Sequence, residues 1–339
     1  MASATKLIII LVVIFQVVFC RIENYPEIKT YQLKNGKPLR IMTFNTWLFG
    51  GAVNDGLYKL SKHIKLMQPD IVALQEVQTQ AGFAELLEKL GPEWSGVTSP
   101  STSNANVGIV TIHQIDNSTT TVTASNTAIG VNIHLKDSHE IISFWCLHLA
   151  YLSYGPYAAN NKQVTKLKQI LQGEYPEAHN GRQDNIMALL KTPEFIKAVQ
   201  NSDKNALIVC GDFNSPSHLD WTEDTKSLHG DWVVQWPATY LLQTKTDLID
   251  SFRELYPDPR KFPGITWSTV HRFSGEEWDY TIPEPLDRID FIMFKSPKLK
   301  VSASFTYFGN ELPNQIPNHK DNDYPSDHFS VITDFSINL

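Results

Sequence analysis

The sequence predicts an α/β (α+β) chain in which two β-sheets pack together under a cover of helices. Three observations lead there. Residues 38–90 alternate short apolar runs with stretches of helical spacing, the pattern of strands joined through helices. From Val107 to Leu149 the period falls to two, as in hairpin-connected strands. Finally, apolar runs repeatedly end in, or start from, Asn, Asp, Glu or His, so polar residues collect at strand tips.

Pro38–Phe44 reads as the first strand, ending at Asn45-Thr46-Trp47 before a Gly50-Gly51 loop. Leu57, Leu60, Ile64 and Met67 share a helical face, and Pro69-Asp70 stops that helix. Ile71–Leu74 is the second strand and delivers Glu76; Phe83–Leu90 is a helix closed by Gly91-Pro92. Val107–His113, Thr119–Ser125, Ile129–Leu135 and Glu140–Leu147 follow as antiparallel strands, the last leading to His148. Arg182–Leu190 and Pro193–Val199 have helical spacing. Ala206–Cys210 is a β-branched run expected to be a buried strand. Gly211 lets the chain turn there, and alternation puts Asp212 and Asn214 on one side with Phe213 on the other. Ser215–Pro237 is expected as a loop, Leu248–Leu255 as a short helix and Gly264–Thr269 as a strand. Asp287–Phe294 is a strand with Arg288 and Asp290 on one face, and Phe305–Phe308 is another. Ser326-Asp327-His328 precede the last strand, Phe329–Phe335. Polar residues thus follow the early strands and precede the final one. An antiparallel final strand brings all of them to one edge.

At 339 residues, 42% hydrophobic and 19% charged, without internal repeats or a break in composition, the chain suits one domain. Residues 1–20 are separate. Lys6 is their only charge and Leu7–Phe19 is apolar except for Gln16, a core too short to span a bilayer comfortably, which reads as a secretory signal peptide, with an uncleaved anchor as the alternative. Residues 21–339 then form a single secreted domain, a monomer with no stable membrane insertion once the signal is removed. Asn117-Ser118-Thr119 is an N-glycosylation sequon in an expected loop, so a glycoprotein is anticipated. Cys146 and Cys210 are read as free buried thiols, with a cross-strand disulfide as the alternative. The formal charge of −7 disfavours holding nucleic acid on a broad basic surface. It does not exclude a nuclease, because metal ions supply positive charge locally.

Four carboxylates, Glu76, Asp212, Asp290 and Asp327, brought together cannot all stay ionised without a cation. Oxygen ligands without paired cysteines favour a hard ion over Zn²⁺: Mg²⁺, with Mn²⁺ or Ca²⁺ as alternatives. His148 and His328 beside such an ion suit proton transfer to and from a phosphate ester.

Asn45, Leu74-Gln75-Glu76, Leu147-His148-Leu149, Gly211-Asp212-Phe213-Asn214, Arg288-Ile289-Asp290 and Ser326-Asp327-His328 occur in this order. This series resembles the motifs of the endonuclease/exonuclease/phosphatase superfamily, the deoxyribonuclease I-like phosphoesterases, across nearly all of residues 39–335. The resemblance implies a four-layer α/β/β/α sandwich with two packed mixed β-sheets, and hydrolysis of phosphate esters with a divalent cation. It implies Glu76 as principal metal ligand, with Asn45 and Asp327 near the metal. Asp212 would orient or deprotonate the attacking water, and Asn214 would bond phosphoryl oxygens. His148, and His328 oriented by Asp290, would flank the phosphate, with acid and base roles left open between them. The inositol 5-phosphatase branch of the superfamily fits poorly, because Gly-Asp-Phe-Asn-Ser-Pro and Leu-Asp-Arg-Ile-Asp replace its Gly-Asp-Leu-Asn-Arg and Cys-Asp-Arg-Ile-Leu patterns. No residue is identified for the acid that partners the first histidine in deoxyribonuclease I.

The expected function is therefore a secreted, divalent-metal-dependent phosphoesterase acting on a phosphodiester or phosphomonoester. The alternatives are a deoxyribonuclease I-like endonuclease, a sphingomyelinase-like lipid phosphodiesterase and a non-catalytic binding protein on the same scaffold. Tyr151 and Tyr154, just after His148, are expected to line the substrate pocket, with packing on the surface as the alternative. Arg182, at a helix start, is a candidate phosphate ligand whose alternative is a solvent-facing side chain.

Overall fold

The computed structural model describes residues 37–101, 105–136, 138–176, 180–274, 279 and 281–337. The expected signal segment, 1–20, lies outside the described residues. In chain order the strands are β1 (Lys37–Asn45), β2 (Ile71–Gln75), β3 (Ser95–Thr98), β4 (Val107–Thr111), β5 (Gln114–Val122), β6 (Ala128–His134), β7 (Ile141–His148), β8 (Ala206–Asp212), β9 (Ile249–Asp250), β10 (Asp290–Lys295), β11 (Leu299–Tyr307) and β12 (Ser330–Ile337). The helices are α1 (Gly56–Met67), α2 (Gln80–Leu90), α3 (Gly155–Asn160), α4 (Leu167–Ile170), α5 (Arg182–Lys191), α6 (Pro193–Gln200), α7 (Pro237–Thr246) and α8 (Ser251–Leu255). Among these residues no helix is long and apolar enough to cross a membrane.

The strands form two six-stranded mixed sheets, in the orders β11-β12-β1-β2-β4-β3 and β5-β6-β7-β8-β10-β9. Alternation along each strand sends side chains to two buried sides. From the first sheet Ile41, Ile71, Ala73 and Ile109 enter the central core, where they join Ile129, Val131, Phe144, Cys146 and Ile208 of the second. Met42, Phe44, Val72 and Leu74 face the other way, onto Leu60 and Ile64 of α1 and Phe83 and Leu86 of α2. Trp145, Leu147, Leu207 and Val209 pack outward on Ile186 and Leu189 of α5, Phe195 of α6 and Leu242 of α7. The result is the four-layer α/β/β/α sandwich. Cys146 and Cys210 are in register on β7 and β8, buried and free. Burial pushes the Cys146 thiol up to about 12, as a neutral apolar side chain.

Several expected elements differ. Gly264–Thr269 is not a strand; Trp267 alone makes isolated bridges, to Asp287 and His328. Leu248–Leu255 divides into β9 and α8, because Asp250 caps the helix by accepting from the N–H groups of Phe252 (3.0 Å) and Arg253 (3.2 Å). β10 begins at Asp290, since the buried Arg288 is drawn aside to Asp220 (2.9 Å) and Asp250 (2.6 Å). The loop reading of 215–237 stops where α7 begins, with Pro237 in its first turn. β3, α3, α4 and α7 have no counterpart among the expected elements. β3 is a four-residue edge, Ser-Gly-Val-Thr, with too little apolar alternation to register. The sequon is not in a loop: it sits in β5, the outer strand of its sheet, where pairing to β6 breaks register between Asp116 and Thr121 and leaves Asn117 exposed.

The chain directions set the site. β1 runs parallel to β2, and β7 parallel to β8. β12 runs antiparallel to β1, β4 to β2 and β10 to β8. The ends of the first four strands and the starts of the other three therefore share one edge of the sandwich.

Candidate active site

Gly211 is the local hinge of this edge. With φ of +147°, it lies against β7 so closely that a Cβ would sit 1.9 Å from the Leu147 carbonyl oxygen. Only glycine allows that approach. It sets His148, Asp212 and Asp290 side by side in one register row across β7, β8 and β10. β1 closes the row from the other sheet: Asn45 Nδ2 donates to Asp212 Oδ2 at 2.9 Å and lies 3.4 Å from Glu76 Oε1. Asn45 Oδ1 accepts from the Trp47 N–H (3.1 Å), which fixes the amide with its donors toward the carboxylates. Glu76 Oε2 accepts from the Leu48 N–H at 2.6 Å. Glu76 (φ 61°) and Asn214 (φ 49°) occupy left-handed backbone that non-glycine residues seldom adopt, strain of the kind that gathers at functional sites.

Asp212 is 1% exposed, and its Oδ2 faces two imidazoles, His148 Nε2 at 3.7 Å and His328 Nε2 at 3.8 Å. His328 Nδ1 bonds Asp290 Oδ2 at 2.9 Å. Burial opposes a charge on His328, yet Asp290 and Asp212 outweigh it and lift the imidazole to about 10. The two carboxylates thus favour the protonated ring, whose Nε2 lies 3.8 Å from Asp212 Oδ2. His148 is oriented differently. Its Nδ1 is 2.6 Å from Asn106 Oδ1, and Asn106 Nδ2 donates to the Asn126 carbonyl (3.2 Å). Because Oδ1 can only accept, His148 carries a proton on Nδ1. Asp327 is 5% exposed, with Oδ2 3.3 Å from His271 Nε2. Its segment is tied to β1 by Ser326 Oγ donating to the Asn45 carbonyl at 2.6 Å.

Asn45, Glu76, His148, Asp212, Asp290 and His328 thus meet at one place, with Asp327 beside them. Asn214 adjoins it: its N–H donates to Asp212 Oδ1 (2.7 Å) and its Nδ2 to the Leu149 carbonyl (3.1 Å), so its amide also pins the loop after β7. Tyr151 is 68% exposed, on that loop. Tyr154 is half-buried, and its hydroxyl donates to Asp287 Oδ2 (2.9 Å), a carboxylate that burial pushes up to about 6. Arg182 is 1% exposed and does not face solvent; it pairs with the equally buried Glu174 at 3.7 Å and donates to the Tyr151 carbonyl. Helix packing turns Arg182 inward.

Asn106, the partner of His148, went unrecognised. Its signal was present, because it precedes antiparallel β4 as Asp327 and His328 precede β12. Trp267 was also missed as a neighbour of the site; its ring lies 4.7 Å from that of His328.

The donor set fits a hard divalent cation. Among the described residues, the ion pairs made by Asp212, Asp290 and Asp327 are to His148, His271 and His328, not to Lys or Arg, and the Glu76 carboxylate meets only amide donors. That leaves closely spaced oxygen ligands with excess negative charge. Atoms of Asp212, Asp290 and His328 also lie within 4.8 Å of one another and could together hold an ion. A proton on His328 competes with that use, so the carboxylates of Glu76 and Asp327 suit the ion better; Asn45, expected near the metal, turns its Nδ2 donors to Asp212 and Glu76 and its Oδ1 to the Trp47 N–H, and orients the carboxylates instead.

The endonuclease/exonuclease/phosphatase family profile matches residues 42–328. An uncharacterized protein of Caenorhabditis elegans is 46% identical over 308 residues, 91% of this chain and 94% of that protein. Nocturnin of Mus musculus is 25% identical over 353 residues, 93% of this chain and 69% of its own length. Among solved structures, the human Nocturnin catalytic domain with bound sulfate superposes with a TM-score of 0.51 at 19% identity, over 88% of this chain and 94% of that one. With the family pattern spanning almost the whole described fold, the chain belongs to the endonuclease/exonuclease/phosphatase family of phosphate-ester hydrolases.

Proposed function

We propose that this chain is a secreted, divalent-metal-dependent phosphoesterase that hydrolyses a phosphodiester, with phosphomonoesters as the lesser alternative, by attack of water. The observation that carries the reading is a single buried carboxylate oxygen, Asp212 Oδ2, held by Asn45 and facing both His148 and His328. A buried acceptor between two imidazoles is placed to orient a water and take its proton. His328, charged and anchored by Asp290, stabilises negative charge growing on the phosphoryl oxygens and has a proton to give at Nε2. His148, held by Asn106, presents its own Nε2 from the opposite strand. Asn214 contributes an amide at the same edge. A hard cation such as Mg²⁺ held by Glu76 and Asp327, with Asn45 orienting the carboxylates, would neutralise charge on the phosphoryl group and its leaving oxygen.

The test is hydrolysis of bis(p-nitrophenyl) phosphate, supercoiled plasmid and sphingomyelin with Mg²⁺, Mn²⁺ or Ca²⁺, before and after chelation. Turnover that EDTA abolishes and Mg²⁺ or Mn²⁺ restores, and that Asp212→Ala eliminates while the circular dichroism spectrum is unchanged, is expected. Turnover indifferent to chelation, or none on any substrate, refutes the reading. Secretion rests on residues 1–20 alone; amino-terminal sequencing of protein from culture medium should start after Cys20.

A further inference from the structure

A run of aromatic rings leads out of the catalytic cluster, and the chemistry described above makes no use of it. Beginning at His328, Trp267 lies 4.7 Å away, His271 stacks on Trp267 at 5.1 Å and 26°, Trp47 meets His271 edge to face at 6.0 Å, and His319 lies 5.2 Å from Trp47. These rings belong to none of the packed hydrophobic clusters. Trp47 and His319 are half-buried, and the His271 side chain is 26% exposed, so part of this run of rings reaches solvent. The shelf is also rigid. Trp267 Nε1 donates to Glu284 Oε1 (2.5 Å), which accepts from Tyr157 as well (2.6 Å), and the His271 N–H donates to Ser268 Oγ (3.1 Å). At its inner end Trp47 follows Asn45 by two residues, and its N–H bonds the Asn45 side chain.

Resting on the phosphoesterase reading, we infer that Trp47 and His319 form a stacking subsite for a planar heteroaromatic ring, so that the substrate is a small nucleoside phosphoester. Two features favour a base over the other organic groups a phosphodiester carries. The run is of rings rather than the aliphatic side chains an acyl chain would want. Stacking accepts any base because every base presents a π-face. The net charge of −7 favours a small nucleotide over a long polyanion.

The experiment has two arms on the full-length secreted protein. The first follows binding of adenosine 5′-monophosphate in Mg²⁺ by isothermal titration calorimetry, with ribose 5-phosphate and phosphocholine as comparison probes. Saturable binding of the nucleotide alone is expected, lost in Trp47→Ala, weakened in His319→Ala and retained in Trp47→Phe. The second compares kcat/KM for thymidine 5′-(p-nitrophenyl) phosphate and methyl p-nitrophenyl phosphate. A preference of tenfold or more for the nucleoside ester should fall toward one in Trp47→Ala and return in Trp47→Phe. Absence of binding in the wild type, equal binding of phosphocholine, or an unchanged preference in Trp47→Ala overturns the subsite. Nucleotide binding that depends on Trp47 without turnover of either ester supports the subsite while removing the phosphoesterase reading.

Discussion

Replacing Asp290 with Asn tests the centre of the reading, because the change is nearly isosteric and removes one charge. The carboxylate is 1% exposed and accepts from His328 Nδ1 at 2.9 Å, a bond to a ring that is itself 4% exposed. Charge-assisted bonds of this kind contribute about 1.5–3 kcal/mol, against about 0.5–1.5 for neutral ones. The difference predicts a stability loss of about 1–2 kcal/mol, so the protein should fold. The rate should suffer more. Asn offers an amide that holds the imidazole without fixing its charge, and in the Ser-His-Asp template the equivalent exchange costs ~10⁴ in kcat. Here Asp212 remains as a second carboxylate beside His328, so a fall in kcat of about 10²–10³, equivalent to ~3–4 kcal/mol, is expected. Hydrolysis of bis(p-nitrophenyl) phosphate at saturating Mg²⁺, alongside thermal melting followed by circular dichroism, measures both. A folded Asp290→Asn protein within fivefold of wild-type kcat would refute the proton-holding role of the pair.

Asn106→Leu should lower kcat about 10–100-fold with little change in melting temperature, by freeing the His148 ring; unchanged turnover would reduce Asn106 to a loop contact. Arg182→Met should cost about 3–5 kcal/mol of stability, because Glu174 would be left buried without its partner, and the double change with Glu174→Leu should recover part of that in chemical denaturation. His63, wholly buried between the Tyr307 hydroxyl (2.7 Å) and the Asp323 carbonyl (3.0 Å), is held below its ordinary pKa by burial. The folded state therefore binds its proton less readily than the unfolded chain. The stability it contributes is complete above about pH 6.5 and is lost as the pH falls from there toward the lowered value, by at most ~1.4 kcal/mol per pH unit. Denaturant unfolding between pH 7 and 5 should show that slope, and His63→Phe should make it shallower.

The strands were legible in the sequence because each apolar run obeys a rule internal to itself. Ile41 and Met42, or Ile208 and Val209, are buried on opposite sides of their sheets, and a strand covered on both sides must be apolar throughout. The site was legible for a related reason. Asn45, Glu76, His148 and Asp212 end strands, and Asp290 and His328 begin them, so chain direction alone brings them to one edge. What depended on a neighbour distant in sequence was not legible. Whether Arg182 meets phosphate, solvent or Glu174 depends on how α5 packs, and the three are alike in a helical pattern. Asn106 acquires a role only when β4 sets it against His148, and Trp47, Trp267, His271 and His319 become one shelf only through loops far apart in the chain. The sequence by itself determined which residues are strand tips and what chemistry they carry, since periodicity and residue type are local properties. Only the tertiary structure decided which of them touch, because contact is set by packing across the two sheets.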